Sequence, residues 1–154
     1  MLREELIHPI LVHFPIALVS LTFFLRTILW LPFFCKNEFL KNAFYFCFYL
    51  GMFSYLPSIF SGEMAFDVVR EAANRTSDIY AHEEAAELSM YIFLVSGSVH
   101  VLLQIFSEKL KKWQKLLIEI LCYLLITAGF LTLAHTAHLG GNLVYNQGIG
   151  VRAK

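Results

Sequence analysis

Four apolar runs, each long enough to cross a lipid bilayer, take up most of a chain of 154 residues. A helix needs about 20 predominantly apolar residues to traverse roughly 30 Å of hydrocarbon. The predicted spans cover residues 9–34, 40–60, 82–106 and 114–139, and what remains is too little for a separate soluble unit. The chain therefore reads as one all-α domain over 1–154, an integral membrane four-helix bundle. Its 58% hydrophobic content and mean hydropathy of +0.61 lie above those of soluble domains of this size. Twelve basic residues against twelve acidic ones leave no net field to attract nucleic acid.

The second and third spans are joined by a polar stretch, 61–87. Within it Met64, Ala65, Val68, Val69 and Ala72 recur at helical spacing, while Glu63, Asp67, Arg70 and Glu71 share the other face. This predicts an amphipathic surface helix between helices 2 and 3. The densest positive patches are Lys36 with Lys41, and Lys109, Lys111, Lys112 and Lys115; the positive-inside rule places them in the cytoplasm. Both termini and the long loop then face outward, where Arg3, Arg70, Arg75, Arg152 and Lys154 are diluted by carboxylates. Residues 1–5 have no basic n-region, and no small-residue cleavage site follows, so the first run is expected to stay as a helix. Cys35, Cys47 and Cys122 are odd in number and widely spaced, which predicts free thiols rather than a disulfide framework or a C-x-x-C motif.

Five of the six histidines fall near the outward ends of the spans. Stepping 1.5 Å per residue along each helix places His13 and His135 near the outer hydrocarbon boundary, with His8, His82 and His138 roughly one turn further out. Such residues in a membrane bundle raise a functional hypothesis, because an unpaired polar group there is costly. His135 and His138 stand i, i+3 on one face. His8 and His13 are turned about 140° apart on a regular helix, so one ion is not expected to take both. Pro9 suits a first helical turn, and Pro15 predicts a local kink that opens room for a ligand. The competing reading is that interfacial histidines cap helices or bond carbonyls. His100 lies toward the cytoplasmic half with no second histidine at its depth, and a packing role serves it as well as a ligand role.

Imidazole suits haem iron, copper and zinc. Facing histidines on different helices of a membrane bundle are the arrangement that holds a b-type haem without covalent attachment. The expectation is an electron carrier or redox-complex subunit rather than a stand-alone enzyme, with His8, His13, His82, His135 and His138 binding one or two haems and His8, His13, His82 and His138 as iron ligands. Two alternatives stay open: a structural or assembly subunit without cofactor, and a copper or zinc protein. Glu83, Glu84 and Glu87 beside His82 fit a surface metal site or a solvated face favoured by the helix dipole. Tyr80 and Tyr145 read either as interfacial anchors or as partners of a quinone or haem propionate. Asn74-Arg75-Thr76 matches a glycosylation sequon.

Four stretches, H-P-I-L-V-H-F-P-I-A-L from His8, S-G-E-M-A-F-D from Ser61, the histidine heading the third span, and H-L-G-G-N-L-V-Y-N-Q-G-I-G-V from His138, resemble the bacterial membrane family catalogued as domain of unknown function 2231. The resemblance covers nearly the whole chain and implies a four-helix inner-membrane protein. It also implies a redox setting beside Rieske or cytochrome c proteins, with His8, His13, His82 and His138 at matching positions. The chain departs from it at Gln147, where many relatives carry histidine. Gly140-Gly141 is expected to end the fourth helix, since glycine is favoured in the left-handed position after a helix. Leu143 to Tyr145 would then fold back as an extended cap, with Gly148 and Gly150 turning the tail.

Overall fold

In a computed structural model of the chain, described for residues 6–72 and 76–149, the backbone forms five α-helices: α1 (Ile7–Leu11), α2 (His13–Leu29), α3 (Glu38–Ala72), α4 (Thr76–Phe106) and α5 (Lys112–Tyr145). A 3-10 turn, Ser107–Lys109, links the last two. The sequon residues Asn74 and Arg75, together with residues 1–5, Gly150, Arg152 and Lys154, lie outside the described residues, as do the side chains of Asp67, Glu71 and Ala72. Four helical stretches are long and apolar enough to cross a membrane: Ile7–Leu29, Glu38–Phe66, Thr76–Lys109 and Lys112–Tyr145. Large apolar side chains such as Phe33, Phe39, Phe46, Phe53 and Leu131 are exposed. An outer surface this apolar suits lipid and would be an aggregation hazard in water.

The first span is interrupted at Val12. Pro15 has no N–H for the carbonyl of Leu11, and the Ser58 hydroxyl of α3 donates to that carbonyl instead at 3.2 Å. The kink expected from Pro15 is thus a break, held by the neighbouring helix. The span ends earlier than residue 34: Pro32 disfavours helix at the residue before it, and a run of turns leads to Asn37, whose Oδ1 accepts from Leu40 N at 3.0 Å and caps α3.

Two other expectations are corrected. The stretch 61–72 is helical, but it prolongs α3 without a break instead of forming a separate surface helix; α4 begins at Thr76, so little chain separates the two. Gly140 and Gly141 do not end α5, which runs on to Tyr145, and Leu143 to Tyr145 are helical rather than an extended cap. Termination falls at Gly148, a glycine with left-handed φ (71°), whose N–H returns to Val144 O at 3.0 Å.

The core is one cluster of Val19, Phe44, Phe48, Tyr55, Phe93, Ile126 and Leu133, packed mainly where α2 meets α3 and α4 meets α5. Tyr55 Oη bonds Ser89 Oγ at 2.6 Å, and Ser89 Oγ donates to Gly129 O at 3.2 Å, tying three helices together with short polar side chains. Above this lies a smaller cluster of Ile79, Leu143 and Ile149, which closes the end opposite the lysine-bearing loops.

Candidate functional site

That end contains a largely apolar cavity of about 490 Å³, within the range of cofactor and ligand pockets. Its floor includes Tyr55 and Leu133, and its walls come from all four spans. His8 and His82 both line it, with ring centroids 6.3 Å apart and planes at 81°.

Each ring is anchored through Nδ1. His8 Nδ1–H donates to the carbonyl of Ser58 at 3.0 Å, with Ser61 Oγ at 3.1 Å, and His82 Nδ1–H donates to the carbonyl of Thr136 at 3.0 Å. A carbonyl only accepts, so in the neutral ring Nδ1 carries the proton and Nε2 keeps its lone pair. This is the tautomer of a metal-binding imidazole whose second nitrogen is oriented by an outer partner.

Glycine makes room for both rings. A methyl group on Gly62 would come within 3.2 Å of His8 Cε1, and one on Gly140 within 3.0 Å of His82 Cε1. The presence of Gly140 inside α5 therefore has a local cause: the ring of His82 lies where a side chain would be, and helix propensity yields to that packing.

The remaining histidines are placed differently. His13 also lines the cavity, but it is exposed, and its Nδ1 bonds the carbonyl of Pro9 in α1, one turn back in the chain. His135 and His138 are exposed; His138 lines a separate shallow surface pocket with Asn142 and Asn146. His8 and His82 are thus the pair that faces each other, and the i, i+3 pair of α5 does not join them. Of the carboxylates, Glu63, Glu83 and Glu87 line the cavity, and among the described residues no Lys or Arg does. Tyr145 lines it too, while Tyr80 packs on Phe66. Gln147 donates to Asp78 Oδ2 at 2.6 Å, joining the tail to the head of α4. Among the described residues, no group of three or more His, Cys, Asp or Glu side chains is placed to hold one metal ion.

His100 sits at the other end of the bundle, buried against the rings of Phe44, Tyr45 and Phe48, with its Nε2 3.3 Å from Gln104 Nε2. Near this end Arg26 and Glu119 form an ion pair between α2 and α5. Sequence reading passed over both, although two opposite charges inside apolar spans were a visible signal. It also passed over Ser58 and Thr136, and the matched spacing that sets them before Gly62 and Gly140 was visible as Ser-x3-Gly and Thr-x3-Gly.

A family model described as "Predicted membrane protein (DUF2231)" matches residues 5–153. The chain matches no curated protein and no solved structure at a significant level.

Proposed function

The chain belongs to the DUF2231 family of predicted membrane proteins, and we propose that it is an electron-transfer subunit holding one b-type haem between His8 and His82. The observation that carries this reading is the pair of anchored imidazoles across a single cavity. The two ring centroids, 6.3 Å apart, are near enough for a single metal ion to reach both rings. Two facing imidazoles supply the two axial positions of a haem, whereas a structural zinc site needs four ligands.

A bound haem supplies one-electron chemistry at its iron. The protein's own contribution is positional. His8 and His82 would hold the group, the carbonyls of Ser58 and Thr136 fix their tautomer and direction, and the apolar walls would exclude water and tune the potential.

The family resemblance implies a bacterial inner membrane, and the positive-inside rule favours the Lys36 and Lys109–Lys115 loops on its cytoplasmic side with the histidine end outside. There a Rieske- or cytochrome c-type partner, or another subunit of a membrane complex, exchanges electrons with the site. Native Cys35 is exposed beside Lys36 and serves as a topology reporter. A membrane-impermeant thiol reagent should spare Cys35 in intact cells and label a cysteine placed at Ser77; the reverse pattern overturns the orientation.

The haem itself is tested by the absorption spectrum of the purified protein, oxidised and dithionite-reduced. A sharp reduced α-band, with pigment extracted by acid because no C-x-x-C-H attaches it, is expected. Folded protein that stays colourless after haem supplementation overturns the reading. Copper or zinc bound in place of haem would select a metal-binding protein instead.

A further inference from the structure

We infer that the bundle is an internally duplicated helical hairpin, in which His8 and His82 are equivalent arms of one two-fold site and Gly62 and Gly140 are the positioning residues that set the gap between them. This rests on the haem reading for its ligand.

The contacts themselves repeat. In α3 and α5, buried or close-packed positions recur at a constant offset of 78 residues: Phe44 with Cys122, Phe48 with Ile126, Gly51 with Gly129, Tyr55 with Leu133, Ser58 with Thr136 and Gly62 with Gly140. In the preceding helices the offset is 74: His8 with His82, Pro15 with Ser89, Val19 with Phe93 and Thr22 with Ser96, the last three pairs being buried.

Contacts between the two sets also match. His8 bonds the carbonyl of Ser58 as His82 bonds that of Thr136. His8 lies on Gly62 as His82 lies on Gly140, and Gly51 faces Val19 as Gly129 faces Phe93. Three kinds of contact at both matched offsets, in two hairpins that run in the same sense, are what parallel repeats about an axis along the membrane normal produce.

A site on such an axis receives one imidazole from each hairpin with no geometric preference for either. The glycines act through the rings: a methyl group at Gly62 or Gly140 would stand 3.2 or 3.0 Å from the adjacent imidazole, which would have to shift out of its place. Two departures separate the arms: His8 stands in the short α1 beyond the break at Val12, whereas His82 lies inside the unbroken α4. Ser61 adds a second contact to His8, while the position 78 residues on is Leu139.

The test uses the full chain in detergent, titrated with ferric haem. His8→Gly and His82→Gly should each convert the low-spin spectrum to high-spin, and added imidazole should restore both, which a misfolded variant would not allow. Gly62→Ala and Gly140→Ala should each weaken haem binding by about 10- to 100-fold, the range for outer partners of a metal ligand, and shift the reduction potential in the same direction. If one histidine or one glycine can be replaced without effect while its counterpart cannot, the equivalence is overturned although haem binding stands. If the parent chain takes up no haem, it is the haem reading that falls.

Discussion

The two ends of this bundle both bury ionisable side chains and use them in opposite ways. At the lysine end Arg26 and Glu119 pair through one guanidinium nitrogen, the guanidinium also lies over the rings of Trp30 and Phe44, and Thr27 and Tyr123 add a hydroxyl contact at 3.2 Å between the same two helices. His100 is enclosed by aromatic rings. At the other end His8 and His82, among the described residues, bond the protein through Nδ1 alone, and both rings line a cavity. Charge that is closed on itself holds helices together; a polar group with one nitrogen tied and the other uncommitted is set up to take a ligand.

The largest effect on stability is expected at the closed end. Glu119→Ala leaves Arg26 buried without its partner and should cost on the order of 3 kcal/mol, toward the lower end of the range because the Glu119 side chain is 34% exposed. The haem spectrum should be unchanged, as measured by denaturant unfolding and absorption on the same sample. Replacing both partners, Arg26→Met with Glu119→Leu, should recover most of the loss, since an apolar pair avoids the desolvation of two charges. A double variant as unstable as the single would mean that the charges do more than neutralise each other.

Next comes the open end, where the pattern should invert. His82→Ala loses one hydrogen bond, worth about 1 kcal/mol, yet should abolish the low-spin signal. His100→Ala, His135→Ala and His138→Ala should leave that signal in place, and His13→Ala should perturb it without removing it. Loss of the signal in the His100 variant, with His82 replaceable, would erase the distinction between the two ends. The smallest effect belongs to Ser61→Ala. It removes the extra contact to His8, should cost no more than about 1 kcal/mol, and should bring the two arms closer to identical; a large loss of haem affinity would show that Ser61 does more than support the ring.

Much of this contrast was open to sequence reading, but unevenly. Hydropathy and helix rise fix depth, so the spans and the gathering of histidines at one end followed from residue order alone. Azimuth is a different matter. His8 and His13, or His135 and His138, differ little in depth, and which of them face inward depends on where neighbouring helices present small residues such as Gly62 and Gly140.

The helix boundaries failed for related reasons. Gly140-Gly141 looks like a stop signal by propensity, and it is tertiary packing against His82 that keeps it helical. The break at Val12 depends on Ser58, 46 residues away in the chain. Arg26 and Glu119 vanish in any hydropathy average, because one charge among some twenty apolar residues barely changes the mean.

Electron paramagnetic resonance of the ferric, haem-loaded protein tests the central claim most directly, because the signal reports both the number and the relative orientation of the axial imidazoles. Two histidines sharing one iron with ring planes at 81° predict a low-spin, strongly anisotropic spectrum of the kind given by nearly perpendicular imidazoles, lost in both the His8→Gly and His82→Gly variants. A high-spin signal in the unaltered protein, or a low-spin signal that survives loss of either histidine, would contradict it.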